Sequence, residues 1–124
     1  MSEIVSYEIR YEPPFKNAAN RFVRKKRFRS LPAQISEFAK ELEQGRFTGD
    51  RFIHSDDPPY DVYKKRLPNP DANAGASNGY RVIYIAEHAN RIIGLLAIYY
   101  KKEQEILAET YIEWLIEGFF AASG

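Results

Sequence analysis

A chain of 124 residues, with 18 Lys and Arg against 17 Asp and Glu, a net charge of +1 and no Cys, fits one domain of ordinary size spanning 1–124. The missing cysteines exclude disulfides, a thiolate nucleophile and a cysteine-ligated zinc site. The opening residues carry acids and no apolar core of a secretion signal, and the longest apolar run, 92–100, holds Gly94 and is too short to span a bilayer. The expectation is a cytoplasmic protein with no membrane partner.

Charge is uneven along the chain. Arg21, Arg24, Lys25, Lys26, Arg27 and Arg29 crowd one segment, and Lys64, Lys65 and Arg66 a second. Lys101 and Lys102 form a third, while Glu103, Glu105, Glu109, Glu113 and Glu117 gather near the C-terminus. A near-neutral protein with a basic face can still bind a polyanion. Solvated surface charge is the alternative.

In chain order, residues 3–11 alternate in polarity and predict a half-buried strand. Pro13 and Pro14 end it and open a helix, because proline lacks an N–H to donate yet suits a first helical turn. Phe15, Ala19, Phe22 and Val23 recur at helical spacing. Ser30 is placed to cap a second helix with the stripe Leu31, Ile35, Phe38, Ala39 and Leu42, stopped by Gly45. The polar stretch 46–59, with Asp56-Asp57-Pro58-Pro59, predicts a loop. Strands follow at 61–67, 80–86 and 91–100, the last two joined tightly and hence antiparallel. The Pro, Asn, Ala and Gly-rich segment 68–79 links the first two. A helix over 103–120 closes the chain. The predicted class is α+β in the order βααβββα, a mostly antiparallel sheet with helices packed on one face and the other face open.

Strand parity places Val62, Lys64 and Arg66 on one face and Tyr63, Lys65 and Leu67 on the other. If the strands are neighbours, Lys64, Arg66, Arg81 and one of Lys101 or Lys102 converge on the open face. Such a cluster suits a phosphodiester: Arg offers a planar fork and Lys a mobile charge. RNA carries its own nucleophile, the 2′-OH, so fixed cations aimed at the developing phosphorane charge supply much of the catalysis without a cofactor or metal. His54 and His88 fall in a predicted loop and turn, read as surface, and give no metal-ligand spacing. Residues 75–79 lack the Gly-Lys-Ser/Thr ending of a phosphate loop.

The string VYKKRLPNPDANAGASNGYRVIYI, followed by IIGLLAIYYKKEQEI, resembles the RelE/HigB-like branch of the RelE/ParE toxin superfamily, the toxins of type II toxin–antitoxin pairs. The branch shows a V-Y-K-x-R-L strand, a G-K-S-G-G-Y-R turn-and-strand and an I-Y-x-K-x-E-x-E junction. Here these are Val62 to Leu67, Gly75 to Arg81 and Ile98 to Glu105. The resemblance implies a RelE-like, microbial-ribonuclease-like domain, an endoribonuclease (mRNA interferase) that cuts mRNA at the ribosome and is silenced by an antitoxin protein. It implies catalytic roles for Lys64, Arg66, Arg81 and Lys101 or Lys102. The implied RNA-binding set is Arg24, Lys25, Arg27, Tyr100 and Tyr111. Ala76 stands where the branch often has lysine, and Ala108 occupies the slot nearest the base-stacking tyrosine of several relatives. Two alternatives stand beside this: a ParE-like toxin acting on DNA gyrase, and an inactive homologue serving as antitoxin partner or co-repressor.

Overall fold

The computed structural model describes residues 6–123. Five strands form one open sheet in the order β1-β5-β4-β3-β2, with β1 (Glu8–Tyr11) parallel to β5 (Ile92–Tyr100) and every other pair antiparallel. The remaining strands are β2 (Asp50–Asp56), β3 (Pro59–Leu67) and β4 (Tyr80–Glu87), and the helices are α1 (Pro13–Arg24), α2 (Leu31–Glu43) and α3 (Glu109–Ser123). The α+β class and the mostly antiparallel sheet match the expectation. Of the strand expected over 3–11, residues 3–5 lie outside the described residues.

Three features differ from the expectation. The segment expected to be a loop contains β2, so the order is βααββββα. β2 is polar and exposed along most of its length, and its backbone ladder to β3 holds it in place. Hydrophobic periodicity therefore never announced it. The last helix starts at Glu109 instead of Glu103. Residues 101–108 form a turn, in which the N–H groups of Glu103 and Gln104 both donate to the Tyr100 carbonyl, followed by an irregular connection. Arg21 and Lys26 hold the Glu103 carboxylate there at 2.9 and 3.1 Å.

The third difference is the placement of the helices. α1 and α2 bury Phe15, Phe22, Leu31, Phe38 and Leu42 against Tyr80, Val82, Tyr84, Leu95 and Ile98 on one face. α3 lays Leu115 and Phe119 against Val62, Ile83, Ile85, Ile92 and Leu96 on the other. Helices therefore pack on both faces of the sheet and not on one. Two closely packed glycines set the approach of the parts. A Cβ on Gly94 would fall 2.5 Å from the Phe119 ring, so glycine lets α3 sit down on β5. Gly49, at φ +105°, enters β2 against the Lys64 carbonyl, 2.6 Å from where a Cβ would be.

Phe119 is fully buried, and truncation leaves a cavity in the α3 core. Phe119→Ala is expected to lower the unfolding free energy by about 3–5 kcal/mol in urea titrations. A loss under about 1 kcal/mol would show that α3 does not cover this face.

Candidate phosphate-binding site

The β3–β4 register pairs Lys64 with Ile83 and Arg66 with Arg81, and the β4–β5 register pairs Arg81 with Tyr99. Residues directly opposite on adjacent strands share a face. Ile83 and Tyr99 belong to the α3-side core, so Lys64, Arg66 and Arg81 lie on that same side. The sheet thus brings together the three strand cations that parity singled out.

Their environments differ. Arg66 is exposed and Lys64 half-buried, with its Nζ 5.9 Å from the centre of the Phe52 ring. Arg81 is only 5% exposed. Its Nη1 donates to the carbonyls of Ala76 and Tyr80 at 2.9 and 3.2 Å, and its Nη2 to Ser77 at 2.7 Å. Three of the five guanidinium N–H groups are thereby committed, two of them to the 68–79 connection. Burial lowers the Arg81 pKa, and the neighbouring Arg66 charge lowers it further, while Tyr99 opposes both. Two arginines directly across a ladder repel one another, an arrangement that costs the free protein stability.

Lys101 separates from Lys102 here. The Lys101 Nζ donates to the same Ser77 carbonyl, at 3.2 Å, and its backbone N–H donates to Gly79. Lys102 is exposed and makes no hydrogen bond or ion pair among the described residues. Ser77 therefore links Arg81 with Lys101, and Lys101 is the junction lysine that joins the cluster. Lys65 points the other way, its Nζ 5.8 Å from the Phe38 ring on the α2 side, stem along the core edge and charge outward.

The residues expected to touch RNA scatter more widely. Arg24, Lys25 and Arg27 are exposed at the C-terminal end of α1, over the opposite face but at the same end of the sheet. Arg21 and Lys26 are spent on Glu103, whose carboxyl their hydrogen bonds hold below its ordinary range. Tyr100 is a correction: it is 6% exposed and packs against Phe28 and Tyr80 in the α1–α2 core, so it offers no ring to a base. Its strand neighbour Tyr99 faces the cluster instead. Tyr111 stands in the first turn of α3, stacked on Trp114 at 5.6 Å. It borders a groove of about 420 Å³ together with Pro14, Ala18, Arg21, Tyr99 and Leu107.

A second polar cluster occupies the other end of the sheet. Asp61, nearly buried, accepts from His54 Nδ1 at 2.6 Å and His88 Nε2 at 2.9 Å. Nε2 of His54 reaches Asp56 at 2.9 Å, and the Tyr7 hydroxyl and His88 Nδ1 share a hydrogen bond at 3.0 Å. His54 contacts carboxylates with both ring nitrogens, which requires the doubly protonated imidazolium. Neither histidine is the free surface group its position in the sequence implied. Hydrogen bonds from Asp61, then Asp56, raise the His54 pKa. Burial pulls Asp61 up, but hydrogen bonds from both histidines outweigh it and hold its carboxyl below the usual range.

The signs give a pH window. The His54 contribution is complete below its unfolded pKa of about 6.5 and is lost as pH rises through the raised folded value. The Asp61 contribution is present above about pH 4 and is lost as pH falls through its lowered value. Stability is expected to peak between these limits. Asp61→Asn should cost about 1–3 kcal/mol at pH 6 and flatten the decline above pH 6.5 in urea unfolding across pH. An unchanged pH profile would remove the cluster from this role.

Compared with models of known protein families and with curated proteins, the chain matches none.

Proposed function

We propose that the protein is an endoribonuclease acting as the toxin of a toxin–antitoxin pair, as its resemblance to the RelE/HigB-like branch implies, and that it works in the cytoplasm on mRNA at the ribosome. The observation that carries this reading is the cross-strand pairing of Arg66 with Arg81, with Lys64 on the same side and Lys101 joined to Arg81 through Ser77. A protein gains nothing in its own stability by opposing two arginines. A bound phosphate removes the repulsion and accepts hydrogen bonds from both.

In this reading Arg66 and Lys64 bind the scissile phosphate and neutralise charge as the 2′-oxygen, giving its proton to solvent water, bonds to phosphorus and the bond from phosphorus to the 5′-oxygen breaks, the 5′-oxygen taking up a proton to leave as a hydroxyl. The carbonyls of Ala76, Ser77 and Tyr80 hold Arg81 in one orientation, so little reorganisation accompanies the reaction. Lys101 stands beside it for the departing 5′-oxygen. An antitoxin protein is the partner that silences the site.

The burial of Arg81 favours a second reading, an inactive homologue that binds an antitoxin and does not cut. Two variants of accessible residues separate the two. Arg66→Ala and Lys64→Ala should each lower mRNA cleavage by about 10²–10³-fold and relieve growth inhibition while the fold persists. Mapping of mRNA 5′ ends after induced expression checks this. New ends within translated codons, lost in both variants, are expected. If wild-type expression produces no new ends, the binding-only reading stands and the nuclease falls.

A further inference from the structure

β2 carries a feature that its own ladder does not explain. Its register to β3 runs Asp50↔Lys64 and Arg51↔Tyr63, then resumes at Ile53↔Val62. Phe52 is the extra residue of a β-bulge. Bulges re-aim a side chain, and they occur often beside functional sites. Here the ring is turned to the α3 side, 43% exposed on an edge strand whose other apolar residue, Ile53, packs on the core, and it stands next to Lys64. A phenylalanine placed so adds little to the core and leaves apolar surface in water.

We propose that Phe52 is the platform on which one base of a single-stranded RNA stacks while the neighbouring phosphates lie on Lys64 and Arg66. This rests on the nuclease reading and extends it to a subsite. The ring borders a hollow of about 250 Å³ formed with Ile53, Glu109, Ile112 and Glu113. The two carboxylates repel phosphate from its far side, so the backbone is confined to the β3 side, where the cations stand. Lys64, near the outer limit of a cation–π contact with Phe52, is positioned to bridge the two parts of the subsite. Stacking on an aromatic face tolerates any base, which fits a protein that reads position along a strand more than sequence.

The test uses the full-length protein and a short 2′-O-methyl RNA, whose blocked 2′-oxygen prevents cleavage, beside the same backbone with abasic sugars. Wild type should bind the base-bearing strand about ten-fold more tightly than the abasic one. Phe52→Ala should bind both equally, with abasic affinity unchanged, and Phe52→Trp should keep the preference. A Phe52→Ala protein that still favours the base-bearing strand would overturn the stacking subsite. Arg66→Ala should weaken both strands alike. If it weakens neither, the phosphate site fails, whatever Phe52 does.

Discussion

The β3–β4 ladder runs without a bulge from Tyr60↔Glu87 to Leu67↔Tyr80, and its register decides what stands at the end of the sheet. A slip of one residue would turn every side chain of one strand to the opposite face. Arg66 and Arg81 would then lie on different sides of the molecule. The stacked rings of Tyr63 and Tyr84, 4.9 Å apart and 13° from parallel, resist that slip, as does the burial of Val62 and Leu67 on opposite faces. The core thus pays for the repulsion between the arginines, and the neighbouring elements inherit the result. Ser77 ties the connection before β4 to both Arg81 and Lys101, so the register also orders a loop and the end of β5.

Around that ladder the two faces have separate work. α1 and α2 seal one, and α3 seals most of the other through Phe119 against Gly94. Toward the other end of that face Arg66 is exposed and Lys64 half-buried, while Arg81 stays buried against the carbonyls of Ala76 and Ser77. Opposite it, the hydrogen-bonded chain from Tyr7 through His88, Asp61 and His54 to Asp56 fastens β2, β3 and the β4–β5 turn together. That latch holds the same strand from which Phe52 projects. Among the described residues no helix is long and apolar enough to cross a membrane.

Much of this was legible in the residues. Alternation in Val62 to Leu67 assigned faces correctly, and the diproline marked where β1 ends and α1 begins, since neither proline can extend a ladder. Gly45, at φ +79°, stops α2 as its type requires. Other parts were hidden because they depend on contacts distant in sequence. β2 has no apolar rhythm, so Phe52 and its bulge could not be seen. Glu103 to Ala108 has helix-compatible residues, but Arg21 and Lys26 capture Glu103 from across the molecule. Ser30 precedes α2 as expected, yet its N–H and hydroxyl donate to Asp71 and its side chain accepts no helix N–H. Nor does residue type distinguish Tyr100, sunk among aromatics, from Tyr99, which faces Arg81; the bulge between Ile83 and Tyr84 sets that parity.

If Arg66 and Arg81 stand opposed to hold an anion, an anion should relieve a measurable cost of that pairing. The most direct measurement is the urea unfolding free energy of Arg66→Gln against wild type, in low-salt buffer and in inorganic phosphate with chloride at matched ionic strength as the control. The account predicts a variant more stable by a few tenths to about 1 kcal/mol without phosphate, as expected when like charges across a ladder are separated. Phosphate should close that gap by stabilising wild type alone. A variant that is no more stable in either buffer, with wild type indifferent to phosphate, would contradict it.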